Sequence, residues 1–95
     1  MAKENVSKKT KNIQSRFFQA LETLIDSGKL KGLQTFCKQY DLQRPKYSNL
    51  RSAEKSPDAN TPGYKFIDID ALAYLVEDFG VSADWLLIGE GGMFK

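Results

Sequence analysis

Within residues 43–52, QRPKYSNLRS, seven side chains carry polar groups that match the edges of nucleobases and phosphate oxygens: Gln43, Arg44, Lys46, Ser48, Asn49, Arg51 and Ser52. An arginine donates in a fork to O6 and N7 of guanine, and an asparagine pairs with N6 and N7 of adenine, each good pair giving about 1–3 kcal/mol of discrimination. Chemistry of this kind needs a scaffold that turns these residues to one side.

The intervening apolar residues predict such a scaffold. From Leu33, the apolar or small residues fall at Phe36, Cys37, Tyr40, Leu42, Tyr47 and Leu50. A first short helix turns Phe36, Cys37 and Tyr40 inward, Leu42 fills a corner, and Tyr47 and Leu50, three apart, seat a second helix. Pro45 suits the first turn of that second helix, where its missing N–H costs nothing, so the spacing predicts a start near Arg44 or Pro45. All seven polar residues are then expected to face outward.

At this point the chain resembles a known family. The stretch from Leu33 to Ser52 is similar to the helix-turn-helix of phage-repressor-type regulators, the lambda-repressor-like or XRE class. Residues 80–91, GVSADWLLIGEG, are similar to that family's last helix, and the resemblance covers Gln14 to Phe94. Three features depart from it. Cys37 stands where the family has a small residue, often Ala, and is small enough to serve; Asp41 stands at a turn position often held by Gly, and Asp tolerates a left-handed backbone better than most residues. The segment from Ala53 to Phe66 is longer than the usual link.

The resemblance implies an all-α, compact five-helix lambda-repressor-like domain with its second motif helix, about residues 44–55, in the major groove of double-stranded DNA. Residues near the start of such a helix face base edges, which favours Gln43, Arg44, Lys46 and Ser48 as readers, with Asn49 beside them. Arg51 and Lys55, further along, are expected at phosphates or as charges complementary to the helix C-terminus. Gln34 lies in the first turn of the preceding helix, where N–H groups meet a phosphate. The family also implies a homodimer on an inverted repeat, with half-sites about 34 Å apart or a multiple of that. Many relatives carry a second domain for dimerisation; here either the last helix and its tail pair more weakly, or the chain is the first part of something longer.

Charge agrees with a nucleic-acid partner. Residues 1–55 hold 12 Lys and Arg against 5 Asp and Glu, whereas residues 56–95 hold 2 against 7. One face is thus suited to phosphates and another to solvent or protein. At 95 residues the chain predicts one domain. No apolar run reaches the roughly 18 residues that span a bilayer, and the N-terminus lacks a signal peptide's apolar core, so a cytoplasmic protein is expected. One Cys excludes an internal disulfide, and with no His a structural zinc is not expected. Cys37 reads as a small buried hydrophobe.

Residues 1–12 hold Lys3, Lys8, Lys9 and Lys11 with almost nothing apolar, and predict a flexible arm ahead of a domain over 13–95. The arm is either a contact to phosphates or a solubilising tail. Ile13, Phe17, Ala20, Leu21, Leu24 and Ile25 make the stripe of helix one, with Asn12 as N-cap and Gly28 as stop. Residues 56–63, SPDANTPG, read as loop. Tyr64, Phe66, Ile67 and Ile69 return to the core, Asp68 or Asp70 caps the next helix, and Leu72, Leu75, Val76 and Phe79 form its buried stripe up to Gly80. Ser82 caps a last helix in which Trp85, Leu86 and Ile88 supply bulk. Tyr40 and Tyr47 read as core rather than as base-stacking aromatics. The GEGGMFK end reads as a flexible terminus whose Met93 and Phe94 either fold back onto helix one or pack against a second subunit.

Asp68 with Asp70, and Glu77 with Asp78, have no nucleophile or metal-ligand partner in the sequence beside them, so an enzyme is not expected, nor a cofactor. The leading expectation is a sequence-specific DNA-binding transcriptional regulator of repressor type. The alternative is an antitoxin-like module that uses a helix-turn-helix fold to bind another protein through the acidic half, 56–95.

Overall fold

In the computed structural model, which describes residues 8–55 and 67–95 and their side chains other than those of 53–55, the stripe of helix one belongs to α1 (Lys8–Asp26). Its buried positions are Gln14, Phe17, Phe18, Ala20, Leu21 and Leu24, the spacing of one helical face. Two expectations change. Phe18, left out of the predicted stripe, is 3% exposed. The helix also begins before Asn12, which is an exposed interior residue rather than a cap, so residues 8–12, read in the sequence as part of the arm 1–12, belong to α1. Lysine is a good helix former, and a helix anchored by a buried stripe propagates outward at one hydrogen bond per residue.

α1 ends as its sequence predicts. Gly28 takes φ 82°, its N–H donates to the carbonyl of Ile25, and the Lys29 N–H donates to that of Leu24. This paired closure needs a left-handed residue, which glycine adopts without a Cβ penalty. Leu30 then returns to the core.

Four further helices follow among the described residues: α2 (Leu33–Gln39), α3 (Arg44–Lys55), α4 (Ile69–Phe79) and α5 (Ala83–Ile88). No strand is formed there, only an isolated bridge between Val81 and Phe94. The class is all-helical. α1 packs against α3 and α5, and α2 packs against α3. Phe17 lies at the centre of the core, its ring 5.9 Å from Phe36 and 6.1 Å from Tyr47. The buried Gln14 side chain accepts the N–H of Ile67 at 3.1 Å, which ties the approach to α4 onto α1.

Ala71 and Leu75 are the fully buried residues of α4, with Leu72, Val76 and Phe79 half-buried around them. Ile69, expected in the core, is 81% exposed: it lies two residues before Ala71, about 200° around the helix, and so on the opposite side. Ile88 is 59% exposed for the same reason relative to Leu86. Ser82 caps α5 as expected, its hydroxyl accepting the N–H of Trp85 at 3.3 Å. At the other end, Arg16 of α1 donates to the carbonyls of Leu86 and Leu87 at 2.9 and 3.0 Å, completing acceptors that α5 leaves open. A Cβ at Gly89 would lie 3.1 Å from the Arg16 Nη1, so a larger residue there would displace the guanidinium by a few tenths of an ångström.

The C-terminal residues are held, contrary to the reading of a flexible terminus. The Ser82 N–H donates to Met93 at 2.8 Å and the Lys95 N–H to Gly80 at 3.0 Å. Met93 folds back onto α1, sharing a depression with Phe18, Gln19 and Thr23, while Phe94 stays 40% exposed. The predicted loop over 56–63, and Tyr64 and Phe66, lie outside the described residues. None of the described helices is long and apolar enough to cross a membrane.

Candidate nucleic-acid interface

α2 buries Leu33, Phe36 and Cys37, spaced three and one apart as a helix face requires. Burial pushes the Cys37 thiol above its ordinary range, with Arg44 a smaller opposing influence. Residues 40–43 turn the chain. Asp41 has φ 57°, the left-handed conformation predicted for it, and the Leu42 N–H donates to the Cys37 carbonyl at 2.8 Å. Leu42 is half-buried against the core.

Tyr40 is only partly core. Its ring stacks on Tyr74 with centroids 4.0 Å apart, and its hydroxyl donates to Asp78. Burial first, and that carboxylate second, push the hydroxyl up to about 12. Asp78, considered in the sequence as half of an acid–base pair, is thereby the acceptor of a hydrogen bond that ties the turn after α2 to α4.

α3 starts where the Tyr47 N–H meets the Gln43 carbonyl at 3.2 Å. Tyr47 and Leu50 form its buried stripe, at 0% and 5% exposure. At about 100° per residue, the side opposite that stripe carries Pro45, Asn49 and Ser52, all exposed, while Arg44, also exposed, lies about a quarter turn from the stripe on the same side as Arg51, seven residues on. Ser48 is half-buried. Lys46 and Arg51 flank the stripe on its two sides, and there the outward orientation expected of all seven polar residues fails.

Lys46 Nζ lies 3.1 Å from Asp68 Oδ1, its side chain 20% exposed. Asp68 stands at the N-cap position of α4 but makes no side-chain cap. Its other oxygen accepts the Tyr47 hydroxyl at 2.8 Å, and that hydroxyl in turn accepts the Asp68 N–H at 2.9 Å. Tyr47, buried up to its ring, is thus locked through its polar tip to the start of α4. The hydrogen bond from Tyr47 leads in holding the Asp68 carboxyl below its ordinary range; partial burial opposes it and Lys46 assists. Burial raises the Tyr47 hydroxyl in turn. On the opposite shoulder, Arg51 Nη1 lies 3.5 Å from Glu22 Oε2 of α1.

Of the sequence-predicted residues, Gln34, Arg44, Ser48 and Arg51 line one groove between the start of α2 and α3, joined there by Lys31, Thr35 and Glu22. Gln43 and Asn49 are exposed. Lys46 is separated from this set, lining a second depression with Gln43, Asp41, Asp68, Asp70 and Tyr74. The Lys55 side chain lies outside the described residues. Lys31 and Thr35 were missed, although Thr35 adjoins Gln34 in the same helical turn. Glu22 and Asp68 gave no local signal of being counter-ions.

The groove can receive an anionic strand: Arg44 and Lys31 supply positive charge, and Gln34, Thr35 and Ser48 supply hydrogen bonds. No family model matches this chain, and neither a curated protein nor a solved structure matches it.

Proposed function

We propose that this chain is a sequence-specific double-stranded DNA-binding regulator of repressor type, built on a lambda-repressor-like domain, with α3 entering the major groove. The observation that carries the reading is that Arg44 and Asn49 of α3 are exposed and that Arg44 lines a groove with Lys31, Gln34 and Ser48. Gln43, Arg44 and Asn49 are the base readers of this proposal. Gln34, Lys31 and Ser48 bind phosphate, which fixes register without reading sequence. A rigid backing supports the role: Tyr47 fastens α3 to α1 and α4 through ring contacts and two hydrogen bonds. Exposed Leu87 and Ile88 on α5 support pairing of two copies through that helix.

Selection of bound duplexes from a random pool, with native protein and Arg44→Ala in parallel, tests the reading. An enriched inverted repeat whose bases relax in the variant supports a dimeric sequence reader. Absence of enrichment at low salt sinks it.

One observation favours the antitoxin-like alternative. Ile69, 81% exposed, stands beside the exposed acidic Asp70 in the acidic half of the chain. Weak DNA binding together with a stoichiometric protein partner lost on Ile69→Ser would favour that reading.

A further inference from the structure

Two cations of α3 are each met by a carboxylate from a different element. Asp68, just before α4, holds Lys46, and Glu22 of α1 holds Arg51, at 3.1 and 3.5 Å. The carboxylates lie on the two sides of the buried Tyr47–Leu50 stripe. Neither has an evident local task for the oxygen it uses: Asp68 makes no side-chain cap, and Glu22 is half-exposed along a helix face. Both present to a cation what a phosphate presents, an anionic oxygen at ion-pair distance. Both pairs remain open to water, with side-chain exposures of 20% and 45% for Lys46 and Asp68 and of 34% and 42% for Arg51 and Glu22. A phosphate can therefore exchange with either carboxylate.

We infer that Glu22 and Asp68 are built-in competitors of DNA phosphates, which hold Arg51 and Lys46 back and set how tightly the protein binds duplex of any sequence. The inference rests on the DNA-binding reading of α3. Its consequence follows from the division of labour at such interfaces, where phosphate contacts dominate non-specific affinity and base contacts specify. Restraining two cations lowers binding to random duplex and leaves Arg44 and Asn49 a larger share of the total, raising the ratio of specific to non-specific affinity.

The test is a fluorescence-anisotropy titration of a labelled random-sequence duplex over a series of salt concentrations. The full chain is used as native protein, Arg44→Ala, Glu22→Gln, Asp68→Asn and, as a control for net charge, Glu90→Gln in the exposed segment after α5. Glu22→Gln and Asp68→Asn are each expected to tighten binding about threefold at low salt, within the range of exposed ion pairs. Each is also expected to steepen the log–log salt dependence, by up to about 0.9 for a cation newly delivered to phosphate. Glu90→Gln is expected to change little. Tightening no greater than that of Glu90→Gln overturns the inference, and so does weaker binding, which would make the carboxylates positioning groups. Thermal melts report folding; Asn at position 68 keeps an oxygen for the Tyr47 hydroxyl, and Glu22→Gln gives an independent reading if Asp68→Asn does not fold. If no chain binds duplex at low salt, the DNA-binding reading falls and the inference with it. Native binding that depends on Arg44, without tightening in the two variants, overturns the inference alone.

Discussion

The exposed positions of α3, its crest, and the two half-buried shoulders beside the stripe carry the same residue types and use them differently. On the crest, Arg44 and Asn49 are exposed, and Arg44 is paired with no carboxylate among the described residues. On the shoulders, Lys46 and Arg51 adjoin the buried stripe and each is occupied by an acid from a neighbouring element. Angle separates Asn49 from the shoulders, whereas Arg44 and Arg51, seven apart, share a direction and differ in their level along α3: Glu22 meets the helix at Arg51, two turns beyond Arg44. A long cationic side chain near the buried face runs along the adjoining elements and meets whatever charge they present at its own level of the helix. A positive charge on a helix is therefore no measure of positive charge available to a ligand.

The largest effect that sharpens this contrast is on stability. Tyr47→Ala removes a fully buried ring together with both hydrogen bonds to Asp68, and is expected to cost at least about 3–5 kcal/mol, enough to endanger folding of a small domain. Asn49→Ala, two residues on and on the exposed side, is expected to stay within about 0.5 kcal/mol. Urea denaturation measures both. Comparable losses would mean that the crest, too, is engaged within the molecule.

Next in size is DNA discrimination. On the proposed reading, Arg44→Ala loses about 1–3 kcal/mol of preference for the selected site over a mismatched one, while Lys46→Ala changes that preference by less than about 1 kcal/mol. Competition titrations with the two duplexes decide the point. A larger loss for Lys46 than for Arg44 would reverse the assignment of crest and shoulder.

Asn49 and Ser52 of the crest were legible in the sequence because they follow from periodicity: once Tyr47 and Leu50 are read as buried, the opposite side is fixed; Arg44 was legible instead from Pro45, which marks the first turn of α3. The same local rules found the closure at Gly28, the left-handed Asp41 and the Ser82 cap. The shoulders were not legible. Lys46 meets Asp68 across 22 positions and Arg51 meets Glu22 across 29, and no local pattern fixes such a distance. Asp68 also misled by standing at a helix start, where an acid ordinarily caps, while its oxygens serve Tyr47 and Lys46. The terminal segment failed for a related reason. Its glycines suggest freedom, and only the backbone bonds from Ser82 to Met93 and from Lys95 to Gly80 remove it.

A smaller effect probes the joint between shoulder and core. The Asp68 carboxyl is held below its ordinary 3.8, with Tyr47 the leading cause. A group whose pKa is lower in the folded state contributes stability that is present above its unfolded value and lost as pH falls through its folded value. The contribution should thus fade below about pH 4 and be gone once the folded carboxyl is protonated. Carboxyl titration by NMR is expected to show a larger upward move of Asp68 in Tyr47→Phe than in Lys46→Met. The opposite order would make the shoulder cation, rather than the buried tyrosine, the group that governs Asp68.

The smallest effect concerns the turn that aims crest and shoulders together. Asp41 lies at φ 57°, where an L-residue with a Cβ is strained and Asp less so than most. Asp41→Gly relieves that strain but adds freedom to the unfolded chain, so a net gain of only about 0.5 kcal/mol is expected. Asp41→Ala keeps the Cβ without a polar group to bond locally, and is expected to lose about 1 kcal/mol. In either case α3 keeps its seating, because Tyr47 and Leu50 fix its rotation rather than the turn. DNA affinity measured well below the melting temperature should therefore not follow these stability changes. A loss of affinity in Asp41→Gly with a raised melting temperature would show that the turn itself, and not the buried stripe, sets where the crest points.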